Sequence, residues 1–411
     1  MRHFNTPVGE GTVTMAALLN GIRVLDFGRY IAGPYCATLL AEYGADVIRV
    51  EKRGGSEDRF PAQVGGGVGA LFLQMNRNKR SITLDPATPA GREVVARLVR
   101  SADVVIANMP AATLVAMGLD YDTLRGLRED IILVTNTAYG PVGPWSGHVG
   151  FDGVAQAMSG AVYMTGQPGE PTRAAVNWVD LGTALHCAFG TLAALMERQQ
   201  TGKGQMVTGA LLATAVAFTN PTLIEQALTQ INRVPTGNRG QTSAPMDIFK
   251  TTDGRVQVAV TGNPLFRRWA KLMGNGPGEP DWANDPRFAD DDGRGRHGVM
   301  ISERMARWCA ERGSDEILAT LGAAMIPCAP VLSPQQALDH PQVRALGILQ
   351  DTDYPGLPGP APIAAVPLWM TETKPVPRTR PPLLGEHTEQ MLTELGYDDE
   401  AILALRAAGV V

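Results

Sequence analysis

Short apolar, β-branched runs alternate with helix-length segments through the first half of this chain, and that alternation constrains its fold more than any other feature. "GIRVLDFG" (21–28) reads as a buried strand and "DVIRVEK" (46–52) as the next one. Between them "GPYCATLLAEYGA" (33–45) reads as a helix, with Pro34 in its first turn and Gly44 near its end. A strand–helix–strand unit of this length is a parallel crossover. "RSITLD" (80–85), "PAGREVVARLVRSA" (89–102) and "DVVIANM" (103–109) repeat the unit, and "DIILVTNTAYG" (130–140) adds a strand. The N-terminal half is expected to be a doubly wound α/β sheet.

The pattern changes near residue 220. "MDIFKTTDGRVQVAVTG" reads as a hairpin around Asp253-Gly254, and helical periodicity follows at "NPLFRRWAKLMG" and "ISERMARWCAERGSDEILATLGAA". The expected division is a leader over 1–18, with Met15 as an alternative start, and a large domain over 19–215. A linker over 216–241 then leads to a small α+β domain over 242–338. A second, Pro-rich linker over 339–370 precedes C-terminal helices over 371–411 that return to the large domain. A length of 411 residues fits this count, since one core rarely serves so long a chain.

Composition removes several classes of function. A formal net charge of −5 argues against a nucleic-acid binder. The N-terminus has no apolar signal region, and no uninterrupted apolar run reaches the ~18 residues of a membrane span. Cys36, Cys187, Cys309 and Cys328 are scattered without a CxxC pair, as reduced thiols of a cytoplasmic protein would be. Six histidines include no HxH or HExxH spacing, so no metal site is expected.

A parallel sheet invites a nucleotide reading, but "FGRYIAGPY" after the first strand lacks G-x-G-x-x-G. Glu51 ends the second strand where a dinucleotide enzyme holds its ribose, yet Lys52 and Arg53 follow at once and better fit a phosphorylated nucleotide. There is no GxxxxGK[ST], and "QAMSGAV" around Ser159 has the wrong spacing for a nucleophile elbow.

One acid stands out. Asp180, in "AAVNWVDLGTALHCAFGTLAALMERQQTG", sits where helical periodicity begins, with Leu181, Ala184, Leu185, Ala188, Leu192 and Leu195 on one stripe. From this window it reads first as a helix N-cap and only second as a carboxylate presented to a substrate at a helix N-terminus, which favours an ionised acid. The two roles are compatible.

Six segments in register, "LNGIRVLDFGRYIAGPYCATLLAEYGADVIRVEKRGG", "NRNKRSITLD", "ADVVIANM…MGLDYDTL", "GFDGVAQAMSG…TGQPGEPTR", "LAALMERQQTGKGQ" and "PPLLGEHTEQMLTELG", resemble the class III CoA-transferases. That family includes formyl-CoA transferase, carnitine CoA-transferase and α-methylacyl-CoA racemase. The resemblance implies a Rossmann-like large domain built from N- and C-terminal parts, a smaller inserted domain, and an interlocked homodimer. It implies that Asp180 is the nucleophile. A carboxylate there would take an acyl group from a CoA thioester as a mixed anhydride and then carry CoA itself as an aspartyl thioester, with an acyl-CoA donor and a carboxylic acid acceptor as partners. No tightly bound cofactor is expected, coenzyme A being part of the substrate.

By the same resemblance Ile31 and Ala32 line the pantetheine path, and Lys52 meets the phosphates of the ADP moiety. Leu84, Asp85, Asn108 and Met109 flank the nucleotide. The chain departs from the family at Ala87 and Ala116, where many members carry Lys and formyl-CoA transferases carry Arg. The phosphate contacts are therefore expected to be thinner, or to come from Arg53, Arg80 or a partner subunit.

Phe151 falls where the racemases have the histidine that removes the α-proton, which points away from racemisation unless His148 substitutes. A non-catalytic acyl-CoA-binding protein is the remaining alternative. "TGNRGQTSAP" (236–245) falls where formyl-CoA transferase has a glycine-rich flap, with Gly237 and Gly240 permitting movement and Arg239 available to a second carboxylate. A likeness to succinyl-CoA-dependent members makes a small dicarboxylate the expected acceptor.

Overall fold

The computed structural model describes residues 17–275, 280–373 and 376–411. The expected leader therefore lies almost wholly outside the described residues. The chain divides into two compact units, one comprising the chain up to Ala155 with Asn177–Ala217 and Gly347–Val411, the other Gln156–Val176 and Phe218–Leu346.

The first unit is built on six strands: β1 (Arg23–Asp26), β2 (Asp46–Glu51), β3 (Lys79–Thr83), β4 (Val104–Ala107), β5 (Ile132–Thr137) and β6 (Met206–Ala210). Their spatial order is β3-β2-β1-β4-β5-β6, and every pairing is parallel. The order reverses between β1 and β4. Open α/β sheets bind ligands outside the carboxyl ends of their strands at such a point.

Both faces of this sheet are covered, so its strands read as near-continuous apolar runs. Leu25, Ile48, Ile82, Val105 and Leu133 meet Val94, Val95 and Leu98 of helix α2 (Pro89–Arg100) on one face. Met391 and Leu392 of the helix Thr388–Glu394, with Ile402 and Leu405 of the helix Asp399–Ala407, complete that layer. Thr88 caps α2, its hydroxyl accepting from the Gly91 N–H at 2.9 Å, with Pro89 as the first helical residue. On the other face Val24, Val47, Val104, Ile132 and Val134 meet α1 (Ala32–Ala41) and α4 (Trp178–Thr201), between which a short helix α3 (Asp152–Met158) intervenes in sequence.

Helix α4 buries Ala184, Ala188 and Leu195 of the expected stripe and half-buries Leu181 and Leu192, but its buried face is rotated toward small residues. Val179, Gly182, Thr183, Ala184, Cys187, Ala188, Thr191, Ala194 and Leu195 face inward, while Leu185 is 53% exposed. The cause is close approach: a Cβ on Gly209 of β6 would stand 2.5 Å from the Cys187 sulfur. At that crossing the inward positions are the small Thr183 and Cys187, and Leu195 is buried further along the helix. By length and composition α4 could span a membrane, but half of its most apolar window is buried in the protein and it carries Asp180, Glu197 and Arg198.

The second unit has an antiparallel sheet of Met246–Lys250, Arg255–Ala259 and Cys328–Pro330. Its core joins Phe249, Val256 and Val258 to Phe266, Trp269, Ile301 and Met305. Two segments expected to be linkers are more ordered than their composition implies. Helix α5 (Leu211–Thr229) runs through 216–229 despite Pro221, whose missing N–H removes a single intrahelical bond. Within 339–370, Leu349–Thr352 pairs with Ala361–Ala364 as a hairpin, and Ile363 and Tyr354 pack on Phe72.

Candidate active site

Asp180 is the third residue of α4, not its cap. Asn177 holds the capping position and makes no side-chain capping bond. The capping function belongs to Asp152, the first residue of α3, which is buried and whose Oδ2 accepts the backbone N–H of Val179 at 2.8 Å and of Asp180 at 3.0 Å. Asp152 thus takes the free N–H groups that would otherwise favour an ionised Asp180. Among the described residues no hydrogen bond or ion pair reaches the Asp180 carboxyl. Burial, and secondarily the like charge of Asp152, push its pKa up to about 7. The expectation that the helix terminus holds this acid ionised is therefore corrected: desolvation outweighs the dipole. The sequence signal for Asp152 was an acid opening a helical run in "GFDGVAQAMSG", a pattern that marks N-termini.

The segment after β1 lies beside this pair. Ile31 is the N-cap residue of α1 and Ala32 its first, both buried. Ala32 shares a small apolar cluster with Ala155 and with Val179, the neighbour of Asp180. Tyr30 has φ of 62°, a left-handed backbone that costs a residue with a Cβ about 1–2 kcal/mol. Its ring meets Phe151 edge to face, with centroids 5.5 Å apart and planes at 89°. Phe151 is 62% exposed, so it offers an aromatic surface beside the acids and no base. His148 stacks at 5.3 Å on Trp145 and lies 6.2 Å from Tyr139, within an aromatic loop.

The other nucleotide-flanking candidates separate by role. Asn108 commits its amide to the backbone of Arg29, its Oδ1 accepting the N–H at 2.7 Å and its Nδ2 donating to the carbonyl at 2.8 Å. Leu84 and Met109 are buried in the core beneath the sheet, so their side chains have almost no surface to give a ligand. Asp85 is half-buried and accepts from the Ala87 N–H at 3.0 Å. Lys52 is exposed and paired with Glu57, which also meets Arg29 at 3.4 Å. Arg53 reaches the Gly409 carbonyl at 3.4 Å, near the end of the chain. Arg80 sits near the start of β3, at the opposite end of that strand from Leu84 and Asp85, bound at 2.6 Å to Asp46, the first residue of β2, and at 2.8 Å to Glu394. Arg239 lies in the second unit, its carbonyl accepting from the Thr236 hydroxyl at 2.7 Å and its charge facing Asp247. Among the described residues no His, Cys, Asp and Glu cluster is suited to a metal ion.

The parallel α/β sheet thus carries a pair of carboxyls beside the segment that follows its first strand, Asp152 buried and Asp180 half-buried and raised to about 7. Residues 19–388 match CoA-transferase family III, and the chain belongs to that family. It is 35% identical to the succinyl-CoA:mesaconate CoA-transferase of Haloarcula hispanica, over 92% of this chain and 96% of that protein. It is 34% identical to the succinate–glutarate CoA-transferase of Agrobacterium fabrum, over 92% and 95%. Among solved structures, a CaiB/BaiF family protein from Brucella suis superposes with a TM-score of 0.80 at 29% identity, covering 93% of this chain and all (100%) of that one. The protein is an enzyme that transfers CoA.

Proposed function

We propose that the enzyme moves CoA from an acyl-CoA thioester, of which succinyl-CoA is the leading candidate, to a small dicarboxylic acid by covalent catalysis on Asp180. The observation that carries this reading is the placement of Asp180: third residue of a helix, half-buried, its carboxyl without a hydrogen bond or ion pair among the described residues, and raised to about 7. A carboxylate made more basic by burial is a better nucleophile once ionised.

Asp180 attacks the thioester carbonyl, the C–S bond breaks, and the CoA thiolate leaves behind a mixed anhydride. The thiolate then attacks the aspartyl carbonyl of the anhydride, the C–O bond breaks, and the donor acid departs as its carboxylate. An acceptor carboxylate attacks the aspartyl-CoA thioester and the two steps run in reverse, regenerating Asp180. Thioester energy is kept throughout, so neither ATP nor metal enters the balance.

The dicarboxylate assignment rests on the succinyl-CoA:mesaconate and succinate–glutarate relatives. Ile31, Ala32, Lys52, Asp85 and Phe151 would line the thioester's path, with Leu84 and Met109 contributing backbone only. The functional unit would be an interlocked cytoplasmic homodimer of Rossmann-like large domains. The outward stripe of α4, where Phe189 is 75% and Met196 63% exposed, supports a partner surface.

A panel of acyl-CoA donors against carboxylic acids, read by mass spectrometry, tests the substrate assignment. Hydroxylamine added during turnover should convert Asp180 to a hydroxamate in the peptide that contains it. New CoA esters without any modification of that peptide would remove the covalent mechanism and leave the transferase.

A further inference from the structure

Beneath the turn that precedes α1 lies a set of buried charges that the transfer chemistry does not use. Arg49 of β2, Asp26 of β1 and Lys79 of β3 are fully buried, and Asp26 stands opposite Arg49 in the parallel register. Arg49 binds both carboxylate oxygens of buried Asp58, at 2.9 and 2.8 Å, and approaches Asp26 at 3.4 Å. Its other terminal nitrogen donates to the Gly28 carbonyl. Asp26 accepts the Gly28 N–H at 2.8 Å and the Lys79 ammonium at 2.8 Å. Gly28 is thereby gripped at both backbone polar groups. At the next residue, Asn108 grips Arg29 at both of its own.

The turn these clamps hold is tight and unfavourable. A Cβ on Gly28 would meet the Asp26 carboxylate at 2.8 Å and the Gly33 Cα at 2.9 Å, so the chain doubles back on itself there. Tyr30 follows with its left-handed backbone. Such conformations persist only where the surroundings over-determine them, and they collect at working sites. This one has a clear destination. Tyr30 packs edge-on against Phe151, which precedes Asp152, the acid that receives the N–H groups of Val179 and Asp180. Ala32, at the other end of the turn, packs with Val179.

We propose that Arg49 is a positioning residue for CoA transfer: with Asp26 and Asn108 it holds Gly28–Ala32 in a strained turn that fixes Phe151–Asp152 and the start of the Asp180 helix. A lysine cannot replace it. One terminal nitrogen of the planar guanidinium reaches Asp58 while the other reaches the Gly28 carbonyl, a fixed two-point span that a single ammonium on a flexible stem does not reproduce.

The test uses Arg49→Lys and, because that variant disturbs a buried ion cluster, Asn108→Ala, which loosens the same turn without removing a charge. Both are assayed with whichever donor and acceptor pair the wild type turns over, at a temperature where circular dichroism shows each folded. Displacement of a nucleophile by about 1 Å costs on the order of 100-fold, so kcat should fall roughly 10- to 100-fold in each. The pH limb of kcat/KM centred near 7 should also shift in both variants, since Asp152 no longer stands where it acts on Asp180. A merely stabilising cluster would leave that limb in place. Crystal structures of the variants give a reading that needs no substrate: Tyr30 should leave the left-handed region and its ring should part from Phe151. Folded variants with wild-type kcat, or with Tyr30 and Phe151 unmoved, would overturn the assignment whatever the natural substrate proves to be.

Discussion

Asp152 caps the helix that carries Asp180, its Oδ2 accepting the backbone N–H of Val179 at 2.8 Å and of Asp180 itself at 3.0 Å. One carboxylate therefore consumes the stabilisation a helix terminus offers, and the other is left to titrate near neutrality.

Asp180→Ala and Asp180→Asn should both abolish CoA transfer, by at least about a thousand-fold in kcat, because neither side chain can form an anhydride. Folding should survive in both, as judged by circular dichroism, since Asp180 makes no capping bond. Near wild-type turnover in either variant would remove Asp180 from the chemistry.

The rate should depend on pH in a set direction. With Asp180 at about 7, the ionised nucleophile accumulates as pH rises, and kcat/KM for the CoA ester should climb through a limb centred there. Asp152→Asn keeps an oxygen for the cap but removes the like charge, so the limb should move to lower pH. It should move only part of the way, because burial is the larger cause. An unmoved limb would show that Asp152 does not act on Asp180 electrostatically.

Stability carries the opposite sign. The folded value of about 7 lies above the ordinary 3.8, so the folded state binds this proton more tightly between those limits. Stability from this site is complete below that window and is lost as pH rises through it. Asp180→Asn removes the loss, and urea titration should find it roughly 1–4 kcal/mol more stable than wild type at pH 8. The gap should close towards pH 4. A gap independent of pH would contradict the raised value.

Transfer and racemisation can be separated without knowledge of the natural substrate. Phe151 offers a ring where proton abstraction needs an imidazole, and His148 is stacked on Trp145 at 5.3 Å. Incubation with a 2-methylacyl-CoA in deuterated water should leave the α-position undeuterated, while succinyl-CoA with a small dicarboxylate should yield a new CoA ester. Rapid deuteration without an acceptor would reverse this reading and direct attention to His148.

Light scattering should give twice the mass of one chain in solution. The outward apolar stripe of α4, Leu185, Phe189 and Met196, then loses its exposure to a second copy. Phe189→Asp should weaken that association, and a wild-type monomer would leave the stripe unexplained.

The amino-acid sequence by itself determined the alternation of strands and helices, because an apolar run buried on two faces and a helix stripe are written in neighbouring residues. It also marked Asp180, through the order of motifs around it. The tertiary structure alone decided what Asp180 experiences. Asp152 is 28 residues away in the chain, yet it takes the helix N–H groups and, after burial, raises the acid beside it. Asn108 had the right place after β4 for a ligand contact, but the fold turned its amide onto Arg29. Leu185 matched the helix period and still faces outward, while Thr183 and Cys187 take the inner face against Gly209. Periodicity and capping preference are local properties of a chain. Desolvation, Coulomb interaction and close packing depend on what the rest of the chain places within a few ångströms, and only the folded molecule fixes that.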